Sequence, residues 1–149
     1  MYGDTSVIRG LARSLRDQAA DIRAQADRLV AQADSTHWTG LASDAMRARA
    51  RERAGALRRT AGLHDDAAQA LDQHADAVDR LKELIAAIER RVRHLVDAAR
   101  DRLTGLAGGL TDGLRHLVPD PVDHLLDHFV PPPHGSRDWL DVDLPGLAR

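Results

Sequence analysis

Apolar residues recur every three or four positions through most of this chain, and no proline interrupts residues 1–118. The repeat holds to residue 34, stops at the stretch "DSTHWTG", and resumes just after it. This spacing places the apolar side chains on one face of an α-helix, and the alternation typical of a β-strand is missing. The sequence predicts an all-α, coiled-coil-like antiparallel hairpin, with helices at about 5–34 and 41–104 and a turn at 35–40.

The two predicted helices differ in length, which limits how they can pack. At about 1.5 Å per residue, the first helix spans roughly 45 Å and the second roughly 95 Å, so the first covers only half of the second. One alternative is a kink near 62–66, after Gly62, that produces a three-helix bundle. The other is that the uncovered stripe binds a partner. The predicted partner-binding stripe is formed by Leu71, Val78, Leu81, Ile85, Ile88, Val92 and Leu95.

The last part of the chain has a different composition, because all six prolines lie between Pro119 and Pro145. We assign residues 1–110 to the helical hairpin and 111–149 to an acidic, proline-rich, irregular tail. A short amphipathic helix is predicted at about 120–130, followed by extended backbone at three consecutive prolines. The tail is expected to become ordered on contact, and its predicted contact residues are Phe129, Trp139 and Leu140.

The composition argues against most kinds of chemistry. The chain contains no cysteine, its net charge is −2, and its eight histidines form no HExxH motif. His124 and His128 are spaced to share one helical face, but we interpret them as surface residues because a third metal ligand is missing. No nucleophile elbow or phosphate-binding glycine loop is present. We therefore expect no catalytic residue, no metal, no cofactor and no small-molecule substrate.

Six arginines lie within residues 47–59, which raises the question of nucleic-acid binding. They are distributed around the predicted helix, and no aromatic residue lies among them. Ion pairs across the hairpin are the favoured interpretation, and nucleic-acid binding is considered unlikely. The alternatives that stay open are a DNA-associated coiled-coil protein that uses this helix, and an amphipathic protein of the membrane surface.

Trp38 lies at the gap between the two helical patterns, two residues before Gly40. A glycine can adopt the positive φ that a tight helix–helix turn requires. A tryptophan at this position is expected to fold over the open end of the hairpin and to bury the ends of both apolar stripes. The motif therefore predicts a turn and a docking end.

On Trp38, Thr39 and Gly40, and on the Ala-rich stretch "ASDAMRARARERAGALRRTA" that follows, the chain resembles the WXG-motif family of helical hairpins. Type VII (ESX) secretion systems of Gram-positive bacteria export these proteins. The resemblance covers roughly residues 5–85. It implies an antiparallel hairpin, dimerisation into a four-helix bundle, and no catalysis. In that family the turn tryptophan and glycine contribute to a groove recognised during export, which implies this role for the same motif here.

The resemblance also implies partners and a location. The partner is expected to be a second copy, another WXG-type helical protein or a larger secreted effector, and a secretion ATPase can also bind. Members often carry a Tyr-x-x-x-Asp/Glu signal after the second helix, whereas the one tyrosine here is Tyr2. Export is therefore expected to depend on a partner that supplies the signal. The N-terminus lacks the apolar core of a signal peptide. We expect a cytoplasmic protein that is then secreted or displayed at the cell surface.

Overall fold

The structure, a computed structural model, describes residues 4–109 and 120–147. Helix α1 spans Thr5–Ser35, α2 spans Leu41–Gly109 and α3 spans Pro121–Asp127. A 3-10 helix follows at Arg137–Asp141, and the described residues contain no strand. The predicted all-α fold, with a helical hairpin, a long second helix and an irregular C-terminal region, is confirmed.

Short polar side chains begin three of these elements. Asp4 accepts a hydrogen bond from the backbone N–H of Ser6 and starts α1. Asp120 does the same for Val122 and starts α3, and Ser136 starts the 3-10 helix. Each side chain satisfies a backbone N–H that the helix itself leaves without an acceptor.

Helix α2 continues without interruption through Gly62 and Asp65, so the chain does not divide near 62–66 into the separate helices of the three-helix alternative. One glycine costs only about 1 kcal/mol in a helix, and packing along the rest of α2 offsets it. The predicted end near residue 104 lies five residues before the observed end at Gly109. The rest of the glycine-rich stretch 104–113 lies outside the described residues.

The chain divides into two compact units, and the boundary falls inside α2, between Asp79 and Arg80. We call residues 4–79 the hairpin unit, and residues 80–109 with 120–147 the C-terminal unit. The predicted division after residue 110 is therefore displaced by about 30 residues. The reason is that the tail packs onto the second half of α2 and forms one unit with it.

The core of the hairpin unit is built almost entirely from alanine. Four alanines of α1 and four of α2 recur every seventh residue, and all eight are buried. Heptad spacing keeps them along one line on each helix, and the small methyl groups let the two backbones approach closely. We call this contact the alanine seam; it consists of Ala12, Ala19, Ala26, Ala33, Ala54, Ala61, Ala68 and Ala75.

Ion pairs along one side of the seam follow its antiparallel register. Each step of seven residues forward along α1 is matched by seven residues back along α2, which is the relation of antiparallel helices. In the three pairs far from the turn, α1 supplies the arginine and α2 the aspartate. In the two pairs near the turn this is reversed, and α2 supplies the arginine and α1 the aspartate. If one helix shifted by seven residues along the other, like charges would meet at the place where the arrangement reverses. The pairs are Arg9–Asp79, Arg16–Asp72, Arg23–Asp65, Arg58–Asp27 and Arg51–Asp34.

Larger side chains, all of them aliphatic except His64, lie on the other side of the seam, again in heptad rows, and are half-buried. They cover the alanines on one side and meet solvent on the other, as the apolar stripe of an amphipathic helix does. We call this surface the aliphatic face; its members are Ile8, Leu15, Ile22, Leu29, Leu57, His64, Leu71 and Val78.

The C-terminal unit has a core of larger residues than the hairpin unit. One side of α2 contributes Ile85, Val92, Val96 and Ala99, and the chain after residue 120 packs against it. That segment buries Leu126, Trp139, Val142 and Leu144 against α2. The aromatic and branched side chains bury far more area per residue than the alanines of the seam.

Candidate functional site

The turn between α1 and α2 is held by side chains from the start of α2. Gly40 adopts φ 102°, a conformation that L-residues with a side chain rarely adopt. The hydroxyl of Ser43 donates to the carbonyl of Trp38 at 2.8 Å. The guanidinium of Arg47 donates to the carbonyls of Thr36 and Trp38, at 2.9 and 3.0 Å. These bonds satisfy carbonyls that follow the end of α1, and they fix the backbone of the turn.

Arg47 occupies the heptad position that precedes Ala54 on α2, so the alanine seam ends in an arginine at the turn. Sequence reasoning placed this residue among the arginines of the 47–59 cluster and missed its role. The heptad spacing was the signal, because a charged residue in a line of buried alanines needs polar partners. The carbonyls of the turn are those partners.

Trp38 does not fold over the end of the hairpin, so that prediction is wrong: its side chain is 68% exposed. Ser43 is buried there instead. The indole extends into solvent, while Ser43 and Arg47 hold the backbone carbonyl of the same residue. The next apolar residue, Leu41, is 91% exposed. The predicted motif residues therefore lie together on a fixed turn, with two large apolar side chains in contact with water.

Replacing Gly40 with alanine should lower the free energy of unfolding of the hairpin unit by about 1–2 kcal/mol. No atom lies within 4 Å of the position that a Cβ would take, so the cost is backbone strain and not a clash. Urea denaturation followed by circular dichroism measures the change. Gly62→Ala is the control, because Gly62 lies inside α2 with equally open space. It should stabilise the protein by up to about 1 kcal/mol. Equal effects from both substitutions would contradict the role of the positive φ.

The arginines of residues 47–59 divide into two groups. Arg51 and Arg58 form ion pairs with α1, and Arg47 binds the turn. The other three line a shallow exposed depression of about 330 Å³ together with Glu52 and Ala56: Arg49, Arg53 and Arg59. The predicted ion pairs across the hairpin are therefore found for Arg51 and Arg58. Arg47 has a structural role of another kind, at the turn.

The predicted partner-binding stripe is divided between the two units. Leu71 and Val78 belong to the aliphatic face of the hairpin unit. The other five members lie in the C-terminal unit, where Ile85 and Val92 are buried in the core and the rest pack against it: Leu81, Ile88 and Leu95. The prediction that all of the stripe is open to a partner is therefore wrong for Ile85 and Val92, which are buried, whereas the other three are half-buried.

The tail itself covers this part of the stripe. Trp139 is 2% exposed in the core cluster, and its indole N–H donates to the carbonyl of Pro133 at 2.9 Å. Phe129 and Leu140, the other two predicted contact residues, pack against the same cluster. The difference in length between the two helices predicted that the stripe needs a partner. In this structure the partner is the chain's own C-terminal segment.

Two buried carboxylates attach this segment to α2. Arg102 binds both carboxylate oxygens of Asp123, with its shortest contact at 2.6 Å. These hydrogen bonds hold the pKa of Asp123 below its ordinary value, against the opposing effect of burial. Arg100 pairs with Asp127 of the same helix α3 at 3.1 Å.

Glu89 is the second buried carboxylate and is only 3% exposed. Burial raises its pKa, but the hydrogen bond from the Gly135 N–H, the contact with His134 and the charge of Arg93 lower it more. The net effect is a pKa below the ordinary value of 4.5. Sequence reasoning missed Glu89, although its position four residues after Ile85 and three before Val92 places it on the apolar stripe.

Two histidines have a ring nitrogen close to a backbone carbonyl one turn earlier: His128, one of the two considered as metal ligands, and His64. The Nδ1 atom of His128 lies 2.9 Å from the carbonyl oxygen of His124, and that of His64 lies 2.9 Å from the Thr60 carbonyl oxygen. Within the parts of the chain that the structure describes, no three histidine, aspartate or glutamate residues are grouped to hold a metal ion.

An apolar groove of about 380 Å³ lies in the C-terminal unit, between α2 and the last described residues. Aliphatic side chains form nearly all of its lining, among them Leu84, Ile88 and Leu147, and Arg91 adds one charge. Such a surface favours apolar contact and not acid–base chemistry, which requires several convergent polar groups.

No protein-family model, curated protein or solved structure matches this chain. Within residues 4–109 and 120–147, no helix is both long and apolar enough to cross a bilayer. The features that bear on function are therefore those of the molecule itself: the exposed turn, the aliphatic face and the C-terminal segment that covers α2.

Proposed function

We propose that this chain is a non-enzymatic, WXG-like protein of a type VII secretion system, either an exported substrate or an accessory partner of one. It acts by helix–helix association. Its partner is a second copy, another WXG-type helical protein or a larger secreted effector, with a secretion ATPase as a further candidate. In this proposal the protein is cytoplasmic before export and reaches the outside without a cleaved signal peptide.

The single observation that supports this most is the exposed tryptophan on a fixed turn. A buried Trp38 would be explained by stability alone. An indole that is 68% exposed, on a backbone held by Ser43 and Arg47, contributes little to folding. Tryptophan is among the residues most enriched at the energetic centres of protein interfaces, and a preformed turn loses little entropy on binding.

The aliphatic face supports helical association. It presents two rows of half-buried side chains, one on each helix, which the small alanines of the seam do not cover. Burying such rows against a second pair of helices yields about 25 cal/mol for each Å² of apolar surface removed from water. The result is the geometry of a four-helix bundle, in which Leu71 and Val78 of the predicted stripe contact the partner.

Replacing Trp38 with alanine should abolish most recognition at the turn while leaving the fold intact. Truncating an interface tryptophan costs about 2 kcal/mol or more, roughly a thirtyfold loss of affinity. We expect a comparable fall in the amount of tagged chain in the culture filtrate of a host with a type VII system, at unchanged cellular level and helical content. Leu63→Ala is the matched control, because Leu63 is equally exposed on the same unit.

Light scattering on the purified full chain tests the association separately. A dimer at micromolar concentration, lost in a variant with Leu15 and Leu71 replaced by glutamate, is the expected result. A monomer at high concentration, with export unaffected by Trp38→Ala, would refute the proposal. A salt-dependent DNA shift that requires Arg49 and Arg53 would favour the DNA-associated alternative instead.

A further inference from the structure

Glu89 is a buried carboxylate at the centre of the contact between α2 and the C-terminal segment. Its Oε1 atom accepts a hydrogen bond from the backbone N–H of Gly135 at 2.6 Å. Its Oε2 atom lies 2.6 Å from Nδ1 of His134 and 3.7 Å from the guanidinium of Arg93. Both oxygens are therefore engaged, and we call this group the Glu89 contact.

The charged and titratable groups that meet Glu89 come from both elements packed around it. Helix α2 contributes Arg93, one turn further along, and the C-terminal segment contributes His134. Gly135 adds an uncharged donor, and its φ of 72° lets the chain turn so that its N–H is directed at the carboxylate. Each of these groups lowers the pKa of Glu89 and so favours its ionised form.

The Glu89 contact fixes the part of the segment that covers the stripe. His134 and Gly135 lie just before the 3-10 helix that contains Trp139. The carbonyl of Pro133, one residue before His134, accepts the indole N–H of Trp139. Weakening the Glu89 contact therefore loosens the loop that positions Trp139, the largest side chain of the core cluster.

We propose that the Glu89 contact is an acid-sensitive attachment: ionised Glu89 holds the C-terminal segment on α2, and protonation of Glu89 releases the segment and exposes the stripe around Ile85 and Val92. The proton binds a carboxylate oxygen, so Glu89 loses the negative charge that Arg93 and the Gly135 N–H stabilise. The proposal is independent of the function proposed above, because it concerns only contacts within the C-terminal unit.

Proton binding by Glu89 is linked to docking of the segment, and this linkage determines how pH changes the docked fraction. The pKa of Glu89 is lower when the segment is docked than its ordinary value of 4.5. The docked state therefore gains stability that is fully present above about pH 4.5 and is lost as the pH falls through the lowered pKa. Between the pKa of Glu89 in the released state and its lower pKa in the docked state, the ratio of docked to released segment falls about tenfold for each unit by which the pH decreases. Asp123 adds a similar dependence at lower pH, since its ordinary pKa is 3.8.

Trp139 fluorescence in the full chain reports the state of the segment once Trp38 is replaced by phenylalanine. A pH titration from 7 to 3 should show a red shift of the emission, together with new binding of a dye for exposed apolar surface. Circular dichroism on the same samples follows the helices of the hairpin. Release of the segment predicts a change in fluorescence at a higher pH than the loss of helix.

His134→Ala is the decisive variant, because His134 is 83% exposed and its loss leaves the core intact. Without this group the pKa of Glu89 is less depressed, so the release midpoint should move to higher pH. Glu89→Gln should reduce docking at pH 7 and remove the pH step above the range of Asp123. Glu83→Gln, at an exposed glutamate of the same helix, should leave the midpoint unchanged.

The same release midpoint for the parent protein and His134→Ala would overturn the proposal. A midpoint shift of equal size in Glu83→Gln would overturn it too, because the effect would then come from total charge. If Glu89→Gln fails to dock at all, the His134→Ala midpoint still decides.

Discussion

Trp139→Ala is expected to lower the free energy of unfolding of the C-terminal unit by about 3–5 kcal/mol, the usual cost of truncating a buried tryptophan. The side chain is 2% exposed and packs with Ile85 and Val92 of α2. Its indole N–H also bonds the carbonyl of Pro133, which loses this donor in the variant. A single substitution should therefore detach most of the segment from α2.

Urea denaturation followed by circular dichroism, together with hydrogen exchange of the amides of residues 80–105, measures this effect. Trp38→Ala is the matched control, because it removes the same side chain from an exposed position. It should change stability by no more than about 0.5 kcal/mol. If both variants are destabilised equally, the assignment of Trp139 to the core and of Trp38 to the surface is wrong.

Ala19→Leu is expected to destabilise the hairpin unit by about 1–3 kcal/mol, because overpacking forces helices apart or side chains into strained rotamers. Ala19 is fully buried in the middle of the alanine seam. In an ordinary core, a larger apolar residue can add buried area. Here the partner positions on α2 are also fully buried alanines, so three added carbons have no space to occupy.

Ala20→Leu provides the control, since Ala20 is the exposed neighbour of Ala19 on α1. Alanine and leucine have similar helix propensities, so this change should alter stability by no more than about 0.5 kcal/mol. Thermal denaturation of both variants makes the comparison. A stabilised Ala19→Leu variant would show that the helices are further apart than the seam requires.

Local patterns in the sequence were sufficient for the elements of the fold. The predicted helices at 5–34 and 41–104 agree with α1 and with most of α2, because a cap such as Asp4 and a glycine such as Gly40 act on their immediate neighbours. The long uncovered half of α2 was also predictable, since it follows from the rise per residue of a helix.

The candidate site was less predictable, because it depends on which of several apolar residues become buried when the helices pack. Trp38 is the largest side chain near the turn, yet the small Ser43 is buried there in its place. The alanines and leucines of α1 share one helical period, so periodicity alone did not indicate that only the alanines would form the seam.

By itself, the sequence determined that this chain forms two long helices with a turn at Gly40, and that the first helix could not cover the second. Only the tertiary structure decided what covers the remainder. Glu89 and Gly135 are separated by 46 residues, and their contact depends on how the tail folds back onto α2. Helical periodicity describes residues within one or two turns of each other, whereas pairing between distant segments depends on shape and charge that form only when the chain is packed.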